Sequence, residues 1–148
     1  MAIHTFASAK AILQNNGKAK VLYANNNNIS GNPFWIAVKH RNSMQTWSKN
    51  PIDFTSNVKY DFSTALTQAY DDGNNPPMKS IAGVFAFYGG DVNQDGGVDI
   101  NDAGLVDNDA FAFGYNATDC TGDMGTDLSD QAIVDNNQSL FLFYAQPY

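Results

Sequence analysis

Along the first ninety residues, apolar positions come in short runs broken by Asn, Gly and Pro rather than at helical spacing. That pattern predicts short strands. Residues 11–13 and 19–23 read as strands either side of Asn15-Asn16-Gly17, a strong turn signal. Residues 34–40 (FWIAVKH) are the best strand candidate, rich in bulky and β-branched side chains. Residues 57–62 form a shorter candidate, and 81–88 (IAGVFAFY) an apolar one. Residues 63–70 place Ala65, Leu66 and Tyr70 on one helical face behind a Ser63 cap. The expectation is a mostly β chain, with an antiparallel β-sandwich over residues 1–89.

Beyond residue 90 the pattern changes to an internal repeat with a 28-residue offset. Asp91/Asp119, Asp95/Asp123, Gly97/Gly125, Asp99/Asp127, Asp102/Asp130, Val106/Val134, Asp107/Asp135 and Asn108/Asn136 are identical pairs. Helices are expected after each acidic run, at 101–110 and 129–137. A tail, SLFLFYAQPY (139–148), is apolar and β-prone. It predicts a C-terminal strand that folds back within the chain or adds to a neighbour's sheet.

Charge follows the same division. All eight Lys and Arg lie at or before Lys79, and the fifteen acidic residues are all Asp, eleven of them between Asp91 and Asp135. Residues 1–90 therefore carry +4 and residues 91–148 carry −11. A half without cations is unsuited to a phosphate backbone, so nucleic acid is not expected. No apolar run is long enough to span a bilayer. One Cys, Cys120, excludes an internal disulfide framework. The start, MAIHTFASAK, lacks the order of a signal peptide and reads as a mature chain.

The acidic repeats carry the chemistry. The first presents Asp91, Asn93, Asp95, Asp99 and Asp102 at positions 1, 3, 5, 9 and 12 of a loop, with the Gly97 carbonyl at position 7 and Gly96 at the sharp turn. This is the spacing of an EF-hand-type Ca²⁺ loop, which must supply six to eight hard oxygens. The second presents Asp119, Thr121, Asp123, Gly125, Asp127 and Asp130. There Thr121 replaces Asn at position 3, and Met124 replaces Gly at position 6, where a positive backbone dihedral is usual. Two Ca²⁺ sites are expected, the second weaker or remodelled. Val98 and Thr126 at position 8 are expected to pair the loops with each other. The plain alternative for both runs is a set of solvated turn aspartates.

The run GDVNQDGGVDINDAGLVDND resembles the calcium repeat of dockerin modules, and the second copy supports it. Over residues 8–148 the chain also resembles a C-terminal region of secreted Bacteroidetes-type surface proteins, through FWIAVKHRNSMQTWS (34–48) and MKSIAGVFAFYGGDVNQDG (78–96). The resemblance implies a β-rich domain (1–89), a dockerin-like pair (90–138) and the tail (139–148). It also implies one further strand before the position where this chain starts. A sandwich lacking an edge strand exposes a groove that something must fill.

Leu140, Phe141, Leu142, Phe143 and Tyr144 are the candidate partner-binding residues, and head-to-tail strand exchange would give a filament. The expected function is an extracellular or cell-surface, calcium-stabilised, non-catalytic structural or adhesive protein, plausibly self-assembling into filaments. The alternative is a recognition module of a larger secreted enzyme, binding a cohesin-like protein or a polysaccharide.

Other features have two readings each. Lys39, His40 and Arg41 either contact the acidic module or are a solvated strand end. Trp35 and Trp47 either stack on sugar or serve packing. Cys120 reads as a bystander thiol, and Asp107 and Asp135 as solvent-facing. Asn28, Asn116 and Asn137 match the glycan-acceptor spacing, a weak signal in a chain with 18 Asn.

Overall fold

The structure is a computed structural model of the chain, and it describes residues 7–22, 31–55 and 57–148. Among these, six short strands run in chain order: β1 Pro33–Phe34, β2 Ala37–His40, β3 Ser43–Trp47, β4 Ile52–Asp53, β5 Lys79–Ile81 and β6 Val84–Ala86. Two helices follow, α1 Ile100–Asn108 and α2 Leu128–Gln138. All strand pairing is antiparallel, in three two-stranded ribbons, β1–β4, β2–β3 and β5–β6. The chain divides into two compact units.

The first unit holds the described residues up to Phe34, those within Ile52–Val58, and Tyr148. Its β1–β4 ribbon packs Phe34 against Phe54, ring centroids 6.4 Å apart. The turn expected at Asn15-Asn16-Gly17 is present, with Gly17 at φ 75 and Gln14 N–H donating to the Lys18 carbonyl at 2.9 Å. The strands expected on either side are not formed in residues 7–22; Ile12 and Leu22 stand exposed. An isolated hairpin without an apolar face to bury is marginal. Tyr23 lies outside the described residues.

The second unit takes Trp35–Pro51 and Lys59–Pro147. The expected 34–40 strand is divided at Trp35-Ile36. The Ile36 carbonyl accepts from Ser48 N–H at 2.8 Å, and Ile36 N–H donates to Ser48 Oγ at 3.0 Å. A register shift between Val38 and His40 then tightens the β2–β3 turn over Arg41 and Asn42. The expected 63–70 helix is replaced by two 3-10 turns, Phe62–Thr64 and Leu66–Gln68, with Ala65 extended between them and Asp61 as the cap. The cause is competition from β3. Lys49 N–H takes the Gln68 carbonyl, and Tyr70 N–H donates to the Trp47 carbonyl, each at 2.8 Å.

Residues 57–61 form no strand among the described positions; Tyr60 and Phe62 instead meet edge to face, and Phe62 meets Phe87. The apolar run 81–88 folds into the β5–β6 hairpin, because Ala82 (φ 50) and Gly83 (φ 86) make a tight turn with two positive φ values.

Both helices start one residue before the expected positions, and for a legible reason. Asp99 and Asp127 are N-caps, and Asp102 and Asp130 at N3 reach back to the cap N–H, so each helix opens with a capping box. Val98 and Thr126 do not pair with each other. Each loop instead pairs with the segment leaving the other repeat's helix, through Gly97↔Phe143 and Phe113↔Gly125. Val98 N–H donates to Leu142, and Thr126 N–H to Ala112.

One apolar core holds this unit together: Met44, Tyr88, Val92, Val98, Ala103, Val106, Val134 and Leu142. Hairpin, loops, helices and tail all contribute. Gly90 is essential to it, because at φ 109 a β-carbon would lie 3.0 Å from Val98 and 3.3 Å from the Val134 backbone.

Candidate metal centre

Each acidic loop is built by the same local device. Short Asp and Asn side chains accept from backbone N–H groups two or three residues on, which curls the chain. In the first loop Asp95 N–H donates to Asn93 Oδ1 at 2.8 Å, and Gly97 N–H to Asp95 Oδ1 at 3.1 Å. Asp102 Oδ1 accepts from Val92 and Asn93, and its Oδ2 from Asp99. In the second loop Gly125 N–H donates to Asp123 Oδ1. Asp130 accepts from Thr121 and Asp127, both at 2.8 Å. Positive φ recurs at positions 4 and 6 of both, at Gln94 and Gly96, then Gly122 and Met124. Met124 therefore adopts the conformation the pattern demands of a glycine.

The first aspartates differ. Asp91 is only 2% exposed, and its Oδ1 has no hydrogen-bond partner. Burial, then the charges of Asp102 and Asp95, push its carboxyl up to about 6. Burial also raises Asp102, against three backbone N–H donors. Asp119, fully buried, is saturated. Its Oδ1 accepts from Gly122 at 2.7 Å and Asp123 at 3.1 Å, and its Oδ2 from Met124 at 3.2 Å. The Arg41 guanidinium adds an ion pair, Nη2 to Oδ2 at 3.5 Å.

Arg41 comes from the β2–β3 turn, which clasps both loops. Its Nη1 donates to the Asn116 carbonyl, and the guanidinium lies 4.4 Å from the centre of the Tyr115 ring. Asn42, 3% exposed, donates to the Asp119 carbonyl at 2.8 Å and accepts from Gly90 N–H at 2.7 Å. The Ser43 carbonyl accepts from Gln94 Nε2, which also bonds the Asp91 carbonyl. Sequence reading left Arg41 between a contact for the acidic module and a solvated strand end, and it missed Asn42 and Gln94. These pairings span up to 77 residues, and no local pattern announces them.

The oxygen-rich donors fit a hard cation better than zinc. The orphaned Asp91 oxygen in a charge-crowded buried position is where a cation would be most stabilising. Among the described residues, no three His, Cys, Asp or Glu side chains converge as a metal-holding group. The carboxylates turn to backbone N–H groups instead.

The tail returns within its own chain. Tyr144 N–H donates to the Gly96 carbonyl at 2.9 Å, its ring covers Gly96, and Leu142 is buried. Leu140, Phe141 and Phe143 are exposed. Asn137 cannot present its amide to a glycan-transferring enzyme. It is buried, with Nδ2 on the Gly89 carbonyl and Oδ1 accepting from Lys79. Thr118, of the Asn116 triplet, is also buried and bonds Asp109; Asn28 lies outside the described residues. Trp47 is half-buried in β3, whereas Trp35 is 39% exposed. The Cys120 thiol is pushed up to about 12, chiefly by burial and then by Asp130, which keeps it protonated. Asp135 accepts from Gln131 and Gln138 on the outer face of α2. No helix of the described residues is long and apolar enough to cross a membrane. Comparison with family models, curated proteins and solved structures finds no match for this chain.

Proposed function

We propose that the chain is an extracellular, calcium-stabilised, non-catalytic structural protein, with residues 90–138 acting as a dockerin-like repeat pair. The observation that carries this is the buried, unpartnered Oδ1 of Asp91 beside Asp95 and Asp102. A buried carboxylate crowded by like charge is costly unless a cation joins it. Two loops each opening a capped helix, joined by reciprocal bridges, support the module reading. Ca²⁺ suits the set better than Mg²⁺, which demands a strict octahedron and keeps its waters. Outside modules work with Kd of about 10⁻⁴–10⁻³ M.

The test is scanning calorimetry of the full chain in Ca²⁺, in Mg²⁺ and in chelator. At 100 times Kd, bound ion adds about 2.7 kcal/mol, so Ca²⁺ should raise the Tm by several degrees and Mg²⁺ by less. Superimposable curves in Ca²⁺ and chelator would end the calcium reading.

Self-assembly, on this reading, proceeds by exchange of the tail. The same Val98–Leu142 and Gly96–Tyr144 hydrogen bonds would then form between chains. A β-sandwich follows only if a further strand joins the ribbons. Electron microscopy of the full chain and of a version ending at Gln138 decides this: equal assembly by both would refute strand exchange. A second reading, a recognition module, draws on the exposed rings of Phe111, Phe113 and Phe141. Binding on a cohesin panel or glycan array, reduced by Phe113→Ser, would favour it.

A further inference from the structure

The β2–β3 turn treats the two loops unequally. To the first it offers neutral groups only, the carbonyls of Asn42 and Ser43. To the second it offers a full positive charge. We propose that the Arg41 guanidinium is the resident cation of the second loop, so that each chain takes one divalent ion, at the first loop. The inference rests on the calcium reading of the first loop and deepens it by fixing the stoichiometry and the residue that sets it.

Four observations carry it. Arg41 is anchored on three sides, by the Asn116 carbonyl, the Asp119 carboxylate and the Tyr115 ring. It follows β2 directly and precedes Asn42, whose side-chain amide donates to the Asp119 carbonyl and whose backbone carbonyl accepts from Gly90 N–H, so its backbone is held in place. The guanidinium also lies over position 4 of the loop, where a β-carbon on Gly122 would be 4.0 Å from Nη2. At the equivalent place in the first loop Gln94 turns a neutral amide to backbone carbonyls. Finally, Asp119 has donors on both oxygens, whereas Asp91 keeps one bare.

A guanidinium has five donors, cannot lose its charge at ordinary pH, and is weakly hydrated. It therefore neutralises a buried carboxylate at lower desolvation cost than an ammonium. A divalent ion entering the second loop would have to displace it or bear its repulsion at close range. Either way the loop's affinity falls. The ion count then becomes a property of a residue far upstream of the loop it fills.

The experiment is native mass spectrometry with equilibrium dialysis against Ca²⁺, on the full chain and three variants. The native chain should hold one ion. Asp91→Asn should hold none, and Asp119→Asn should still hold one. Arg41→Gln should hold two, the second absent from the native chain at the same Ca²⁺ concentration. Two ions in the native chain would overturn the inference and leave the calcium reading standing. No ion in any variant would overturn both. Arg41→Gln that stays folded with one ion overturns the inference alone. If Arg41→Gln fails to fold, the Asp91 and Asp119 variants decide: loss of the ion in Asp119→Asn with retention in Asp91→Asn refutes it.

Discussion

The two acidic loops share four aspartate positions and nearly the same backbone, yet their first aspartates sit in different electrostatic situations. Asp119 has three backbone donors and an arginine; Asp91 has backbone N–H groups at Gln94 and Gly96, but like charges beside it and one bare oxygen. The loop that departs further from the calcium pattern, with Thr121 and Met124, is the one already neutralised from within. A repeat in sequence is thus not a repeat in energetics. What differs is the surface each copy meets, here one turn of a hairpin.

The largest expected effect comes from removing the internal cation. Arg41→Met leaves buried Asp119 unpaired and should cost about 3 kcal/mol in chelator. Chemical denaturation measures it, and a loss under half that would place the pair's worth in its hydrogen bonds rather than its charge. Next is Gly96→Ala. The new β-carbon would fall 2.3 Å from the Tyr144 ring, at φ 99, so the tail must lift. Overpacking and strain together should cost roughly 2–3 kcal/mol.

Asp91→Asn should do the reverse in chelator. Removing a buried charge that is crowded by Asp102 and Asp95 and has one bare oxygen should stabilise the ion-free chain by about 1–2 kcal/mol while abolishing any gain from Ca²⁺. The matching Asp119→Asn should destabilise; equal signs for the two would erase the contrast between the loops. Met124→Gly relieves a left-handed backbone on a long side chain, worth about 1 kcal/mol of stabilisation. Circular dichroism melts suffice.

The smallest effect belongs to pH. Burial and the neighbouring Arg41 hold His40 below its usual 6.5. The unfolded chain then binds the proton first, so His40's contribution is present above pH 6.5 and is lost as pH falls toward its lower folded value. Asp91, raised to about 6, has the opposite sign. The comparison is therefore between the native chain and His40→Gln, and the variant should lose less stability on acidification from pH 7 to 5.5. Identical slopes would remove His40 from the account.

What the sequence made legible was local. The Asp-x-x-Asp spacing at 99–102 and 127–130 announces both helix starts, because the capping box is closed by residues three apart. Antiparallel pairing of short strands was likewise readable from the breaks between apolar runs. Three things were hidden for physical reasons. Ala82-Gly83 turns inside an unbroken apolar run, where an Ala at positive φ gives no warning. Phe111 and Phe141 hold left-handed positions after α1 and α2, where Gly or Asn is the usual signal. The Arg41–Asn42 clasp and the return of the tail to Gly96 depend on long-range packing, which periodicity cannot register.

That clasp has a kinetic consequence. Asn42 and Asp119 meet across 77 residues, and Arg41 and Asn116 across 75. Neither loop acquires its final surroundings until a long stretch of chain has been closed, and that entropy is lost before the contacts return anything. Folding of this unit should therefore run on the millisecond-to-second scale of non-local topologies rather than the microseconds open to its two helices. The helices, capped from within, can flicker early. The turn at Arg41 is then the rate-setting seam, and a divalent ion, meeting an unclosed chain, would arrive before its site.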